Sequence, residues 1–123
     1  MNNKRKGINF ERKMCDILAR NGWWAHFMSP DGRGAQPFDI IAVRDGVPAA
    51  IDCKTCEDRY FRTSRLEQNQ VYAFNKWMNC GNDLAYLAVL HDDKIYMVYY
   101  KTLIEKGSVC LDEMEARWRI NAN

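Results

Sequence analysis

Hydrophobic residues recur along the chain at two spacings, which predict a mixture of helices and strands. Helical spacing predicts one helix over 7–21 and a second over 66–78, each followed by a glycine that ends it. A short helical turn is expected over 102–106, and the segment after it fits a strand or a helix equally well. This order of elements predicts an α/β sandwich around a mixed sheet. Short apolar runs between turn residues predict its five strands, at 23–28, 38–43, 47–54, 84–90 and 94–100.

The chain is long enough for one hydrophobic core and short for two, so we expect a single domain over 1–123 with a basic N-terminal arm at 1–6. Its longest apolar run, 84–90, is far below the roughly 20 residues that a membrane-spanning helix needs. The N-terminal stretch lacks the apolar segment of a secretory signal. We therefore expect a cytoplasmic protein without a membrane span.

The five cysteines are odd in number and irregular in spacing, which predicts free thiols rather than a disulfide framework. Cys53 and Cys56 form a C-x-x-C pair, a spacing that half a zinc site or a redox pair would also show. A closed structural zinc site needs four ligands, and no second cysteine pair follows in the sequence. Coincidence is the favoured explanation of this spacing.

The formal net charge of +2 is too small to indicate a polyanionic partner by itself. Basic residues are nevertheless concentrated near the N-terminus, at Lys4, Arg5, Lys6, Arg12 and Lys13. Further candidates for phosphate contacts lie in two predicted loops and at the start of the second helix: Arg33, Arg59, Arg62, Arg65 and Gln70. A solvated surface explains the loop arginines about as well, and it explains Gln70 better.

The second and third predicted strands are joined by Asp45-Gly46, a strong signal for a two-residue hairpin turn. Counting back from that turn places Asp39 directly opposite Asp52, and two carboxylates in such positions repel each other. A divalent cation such as Mg²⁺ would offset the repulsion. Alternation along the strand places Lys54 on the same face as Asp52. The alternative is an exposed strand face on which Lys54 only pairs with an acid.

Glu11 falls within the apolar face of the first predicted helix, whereas Arg12, Lys13 and Asp16 lie on the opposite face. A glutamate aimed at the core is costly unless it is paired, hydrogen-bonded or near a metal. The alternative is a boundary residue whose carboxylate reaches back to water. Together with the predicted pair of aspartates, the position favours a role for Glu11 in an active site.

Acidic residues, a lysine and a divalent cation suit phosphodiester hydrolysis, because the cation activates a water and polarises the phosphate. Asp39, Asp52 and the backbone carbonyl of Cys53 are the predicted ligands, with Glu11 bound directly or through water. Lys54 would orient or deprotonate the attacking water, or stabilise negative charge in the transition state.

These residues resemble the motif of the PD-(D/E)xK nucleases, since Pro37-Phe38-Asp39 is followed one strand later by Asp52-Cys53-Lys54. More narrowly, the first half of the chain resembles the archaeal-type Holliday junction resolvases. The second half agrees with them only in its order of elements. The narrower resemblance rests on an ordered set of residues that includes Arg5-Lys6-Gly7, Glu11, Gly22, Ser29 and the two segments above.

The resemblance implies a restriction-endonuclease-like three-layer sandwich, with a central mixed five-stranded sheet flanked by helices. It implies a homodimer that nicks four-way DNA junctions symmetrically, uses Mg²⁺ with Mn²⁺ expected to substitute, and has no small-molecule cofactor. Ser29 would lie near the phosphate, and Arg5 and Lys6 would hold the DNA backbone. The middle carboxylate of the motif is usually glutamate, and aspartate is an accepted variant that is one methylene shorter. We therefore expect Asp52 to affect the choice of metal more than the activity. The implied catalytic residues are Glu11, Asp39, Asp52 and Lys54.

Two other functions fit parts of the pattern. One is a different nuclease of the same superfamily that acts on ordinary duplex DNA, and the other is a DNA-binding module without activity. The complete set of three acids and a lysine disfavours the inactive module. The apolar stripe over 96–100 is too apolar for a lone edge strand, and it is the candidate dimer interface.

Overall fold

A computed structural model describes residues 3–28 and 37–120, with side chains in the first helix described from Phe10 onward. The helices are α1 (Asn3–Arg20), α2 (Gln68–Asn79) and α3 (Tyr100–Lys106). The strands are β1 (Trp24–Phe27), β2 (Ile40–Arg44), β3 (Val47–Thr55), β4 (Tyr60–Arg62), β5 (Leu84–His91), β6 (Lys94–Tyr99), β7 (Ser108–Cys110) and β8 (Trp118–Arg119). Two short 3₁₀ turns lie at Thr63–Arg65 and Leu111–Glu113.

Six of these strands form one sheet in the order β1-β2-β3-β5-β6-β8. β3 and β5 are parallel, whereas the other neighbouring pairs are antiparallel, so the sheet is mixed as the sequence predicts. The described residues give the sheet six strands rather than the five expected, because β8 pairs with the outer side of β6. The crossover from β3 to β5 contains α2, which brings the start of that helix back toward the end of β3.

Helices cover both faces of this sheet, which gives the expected three-layer α/β sandwich. On one face α1 buries Phe10, Met14 and Leu18, which are spaced at four-residue intervals and so share one side of the helix. On the other face a second core cluster includes Phe74 of α2 and Leu103 of α3. None of the described helices is long and apolar enough to cross a membrane.

The helices begin at positions that differ from those predicted. α1 starts at Asn3 rather than at residue 7, so the backbone of the basic segment Lys4–Lys6 is helical. α2 starts at Gln68 rather than at residue 66, because Glu67 has extended backbone angles and occupies the N-cap position. Gln70 therefore lies in the first turn of α2.

One interpretation of the sequence after β3 was wrong. The segment after β3 is not only a loop, because β4 pairs with β7 in a separate two-stranded sheet. Within the stripe over 96–100, Tyr96, Val98 and Tyr100 are each at most 4 % exposed, and in the described part of the chain β8 pairs only with Lys94 and Ile95 at the start of β6. Alternation along β6 aims Tyr96 and Val98 into the core, and Tyr100 is buried as the first residue of α3. The dimer interface expected at this stripe stays a prediction.

Candidate active site

The hairpin between β2 and β3 carries the central acidic residues. Its turn residues have positive φ angles, 52° at Asp45 and 77° at Gly46, as a tight primed turn requires. Arg44 pairs with Val47, which confirms the register predicted from the turn. The ladder ends at Ile40 opposite Ile51, one pair before the two aspartates.

Asp39 lies just before β2 and does not sit in the strict cross-strand position that was predicted. Its backbone N–H donates to the carbonyl of Ile51 at 3.2 Å, so the register shifts locally at this point. Its Oδ2 accepts a hydrogen bond of 2.8 Å from the backbone N–H of Cys53. The charge of Asp39 nevertheless helps to raise the pKa of Asp52, so the predicted meeting of the two acids does occur.

Asp52 is the one buried carboxylate among the described side chains, at 3 % exposure. The pKa of Asp52 is raised to about 8, mainly by burial and then by the nearby charge of Asp39, against a smaller lowering effect of Lys54. Without a metal ion, Asp52 therefore keeps a proton that an exposed aspartate would have lost. Such a group holds negative charge only when a cation compensates it.

Glu11 reaches the same cluster from α1. Its pKa is raised to about 7, mainly by burial and then by the charge of Asp39 and a hydrogen bond with it, while Lys54 lowers it. Asp39 therefore interacts with both of the other acids. The sequence placed Glu11 on the apolar side of the helix, and its half-buried position agrees with that placement.

Lys54 follows Asp52 on the same side of β3, as alternation predicts. Its Nζ lies 3.5 Å from Oδ2 of Asp52 and donates a hydrogen bond of 3.0 Å to Oε1 of Gln70. Gln70 in turn donates from Nε2 to the same Oδ2 of Asp52 at 2.7 Å. The structure thus places Gln70 inside the cluster, although the sequence favoured a surface position for it.

Cys53 separates Asp52 from Lys54 along the strand, and its side chain packs on the α1 side of the sheet. Burial raises the pKa of its thiol well above the usual value, with further contributions from Asp39 and Asp52. The thiol therefore stays protonated near neutral pH. Its C-x-x-C partner Cys56 is buried elsewhere, where Sγ donates to the carbonyls of Asp58 and Tyr60.

Three of the candidate DNA-binding arginines lie beyond the end of β3. Arg59 and Arg62 lie 5.0 and 5.4 Å from the ring of Tyr60, at cation–π distance. Arg65 donates to the backbone carbonyl of Thr55 at 2.7 Å. A surface cavity of about 540 Å³ is lined by Thr55, Arg62 and Arg65 among others, directly after Lys54.

The remaining candidates lie around α1 and the segment after β1. Arg12 is exposed and lies 5.8 Å from the ring of Phe27. Ser29 and Arg33 lie outside the described residues, as do the side chains of Lys4, Arg5 and Lys6.

One residue near the site was missed. Tyr60 was not singled out, although an aromatic residue flanked by arginines is a signal for a surface that presents guanidinium groups. Within 3–28 and 37–120, no group of three His, Cys, Asp or Glu side chains is arranged to hold a metal ion. The cluster consists of Asp39 and Asp52 in contact, with Glu11 beside Asp39.

Comparison with known proteins agrees with this architecture. The sequence profile of the family described as archaeal Holliday junction resolvase (Hjc) matches residues 2–117. Among solved structures, the chain is similar to Archaeoglobus fulgidus Hjc, described as a Holliday junction resolvase from an archaeal hyperthermophile, with a TM-score of 0.60 and 22 % identity over 76 % of this chain and 75 % of that chain. No protein with a curated functional description matches the sequence. The chain belongs to the archaeal Holliday junction resolvase family of the PD-(D/E)xK superfamily and is a structure-selective endonuclease that acts on DNA junctions.

Proposed function

We propose that this endonuclease is magnesium-dependent and works as a homodimer whose two sites cut opposing strands of the junction. The observation that carries the metal dependence is the contact between Asp39 and Asp52, with Asp52 buried and its pKa raised to about 8. This concentration of acidic groups has Lys54 as its neighbouring cation. A second, divalent cation would let all of the acids ionise.

The donor set fits Mg²⁺, which binds proteins through one or two carboxylates and keeps several waters. Asp39, Asp52 and the backbone carbonyl of Cys53 are the proposed ligands, with Mn²⁺ as an expected substitute because it also prefers oxygen donors. When bound, the ion lowers the pKa of a water and polarises the scissile phosphate. Glu11, which interacts with Asp39 from α1, would hold one of the waters.

Lys54 supplies a positive charge beside the acids. Its Nζ is held 3.5 Å from Asp52, where it would orient the attacking water or stabilise the negative charge that develops on the phosphate. Its partly buried position strengthens this effect, because charges interact more strongly away from bulk water.

The DNA backbone would follow the basic surface around this cluster. The exposed arginines near β4 and the cavity after Lys54 support this path. Contacts of this kind hold phosphates without reading sequence, which suits an enzyme that selects a junction by shape. The proposed DNA-binding residues are Lys4, Arg5, Lys6, Arg12, Ser29, Arg33, Arg59, Arg62 and Arg65.

Two cuts in opposing strands require two sites, and one chain holds one acidic cluster in its described part. A two-fold homodimer supplies the second site by the same surface on each copy. An apolar groove of about 610 Å³ beside α2, which includes Phe38, Tyr72 and Trp77, suits such a contact. Tyr72 is 66 % exposed, which is costly for an aromatic ring that no partner covers.

The first test compares cleavage of a labelled four-way junction with that of a matched linear duplex, in Mg²⁺ and in chelator. We expect paired nicks in the junction, little cutting of the duplex, and no cutting in chelator. Asp39→Asn and Lys54→Ala should both fall to the level seen in chelator. Cleavage that persists in chelator would contradict the metal dependence, and equal cutting by Lys54→Ala would remove that residue from the mechanism.

The dimer is tested by mixing wild-type chains with Asp39→Asn chains. The substrate is a supercoiled plasmid that carries a cruciform junction. If each chain cuts one strand, a mixed dimer should nick one strand of this junction and leave the opposing strand intact. Tyr72→Glu should shift the protein to monomer in sedimentation, whereas Ile104→Glu, an exposed apolar position on α3, should not. Paired nicks by a protein that sediments as a monomer at the assay concentration would contradict the proposal.

A further inference from the structure

The side chain of Gln70 joins three groups at the candidate active site. Its Nε2 donates to Oδ2 of Asp52 at 2.7 Å. Its Oε1 accepts hydrogen bonds from Nζ of Lys54 at 3.0 Å and from the backbone N–H of Glu67 at 2.9 Å. All three distances lie within the range of good hydrogen bonds.

These partners fix the orientation of the amide. Lys54 and the backbone N–H of Glu67 can only donate, so both must bond to the oxygen of the amide, which leaves its nitrogen for Oδ2 of Asp52. Both lone pairs of the amide oxygen are used, so this oxygen has no capacity left for a substrate group.

Lys54 and Asp52 each lie closer to Gln70 than to one another. Their N···O distance of 3.5 Å exceeds the 2.7–2.9 Å or so of a direct charge-assisted hydrogen bond. The shorter contacts of both residues are made to Gln70 instead. A direct ion pair would occupy the ammonium group of Lys54 and an oxygen of Asp52, and both are needed for the proposed chemistry.

We propose that Gln70 is a positioning residue that keeps Lys54 and Asp52 in separate, productive orientations. The proposal rests on the proposed function, in which those two residues act on the phosphate and the metal. It differs from the phosphate-binding role that the sequence suggested for Gln70, because the amide oxygen and one of the two N–H donors are already engaged within the protein. The hydrogen bond to Glu67 anchors this amide to the N-terminus of α2.

The test compares Gln70→Ala and Gln70→Glu with Gln68→Ala. Gln68 is exposed, lies two positions earlier in the same helix and makes no side-chain hydrogen bond with the described residues, so it is a matched control. Three quantities are measured for each variant: kcat on saturating junction, Kd for the junction in chelator, and melting temperature with and without Mg²⁺.

We expect Gln70→Ala to lower kcat by about 10- to 100-fold, as is typical when a group that orients a metal ligand is removed. Kd should stay within about twofold, because the contact lies inside the protein. Gln70→Glu should lose at least as much, since it keeps the size and the acceptor for Lys54 but replaces the donor to Asp52 by a repelling carboxylate. The rise in melting temperature on adding Mg²⁺ should shrink in both variants and stay unchanged in Gln68→Ala.

Other outcomes would overturn the proposal. A weakened Kd with unchanged kcat would make Gln70 a DNA contact, and equal losses in Gln68→Ala would indicate a general effect on the helix. Full kcat in Gln70→Glu, with Lys54→Ala inactive, would reject the positioning role and leave the proposed function standing. Full activity in Lys54→Ala itself would instead reject the proposed site.

Discussion

Asp52→Asn is expected to lower junction cleavage by about 1,000-fold while it stabilises the metal-free protein at alkaline pH. The loss of rate follows from removing a carboxylate that we propose as a metal ligand. The gain in stability follows from its surroundings, because Asp52 is 3 % exposed and lies against Asp39. Its negative charge is therefore unfavourable in the fold when no metal is bound.

The direction of the pH effect follows from the two pKa values of Asp52. The pKa is about 8 in the metal-free fold, against an ordinary value of 3.8 that the unfolded chain should show. Between these values the folded protein holds more protons than the unfolded one, so the free energy of unfolding falls as pH rises from about 4 to about 8. Asparagine carries no charge, so the variant should lose this part of the decline.

Denaturant unfolding in chelator at pH 5 and pH 9 measures the effect. Asp45→Asn is the matched control, because Asp45 is exposed in the turn of the same hairpin and asparagine accepts its positive φ of 52°. The control should keep both wild-type activity and the wild-type loss of stability. If the free energy of unfolding of Asp52→Asn fell between pH 5 and pH 9 as steeply as that of wild type, Asp52 would not be the group responsible. Glu11, whose pKa is raised to about 7, would then be the next candidate.

The part of the site on the β2–β3 hairpin could be predicted because its determinants are local. Asp45-Gly46 fixes the turn, and the turn fixes which residues meet on the two strands. The count failed only at Asp39, where the backbone leaves the ladder to bond Ile51. Such a shift depends on how the chain enters the strand, which alternation alone does not encode.

Gln70 shows where local reasoning ends. Its place on α2 was predictable, but its contact with Asp52 depends on how the β3–β5 crossover sets the helix start above the end of β3. The small β4–β7 sheet was missed for a related reason. Its strands have three residues each and pair across nearly 50 positions, as in Phe61 opposite Val109, so neither has a pattern strong enough to predict alone.

Phe74→Ala is expected to destabilise the protein by about 3–5 kcal/mol, a large part of the 5–15 kcal/mol typical of a small domain. Phe74 is fully buried and is the one buried residue of α2. Its ring centroid lies 4.9 Å from that of Phe38 and 4.6 Å from that of Tyr100. Removing the ring leaves a cavity and removes both aromatic contacts.

The position of Phe74 links this stability to the active site. Phe38 directly precedes Asp39, and α2 carries Gln70, so the same ring supports the acidic cluster from two directions. The milder Phe74→Leu should keep the protein folded and still lower kcat, with Kd for the junction little changed. Ile104→Ala, at a 44 % exposed position of α3, should change stability by no more than about 0.5 kcal/mol and leave kcat intact. If Phe74→Leu kept full kcat while losing stability, the core would support the fold without setting the geometry of the site, and the position of Gln70 would have to be fixed by its own three hydrogen bonds.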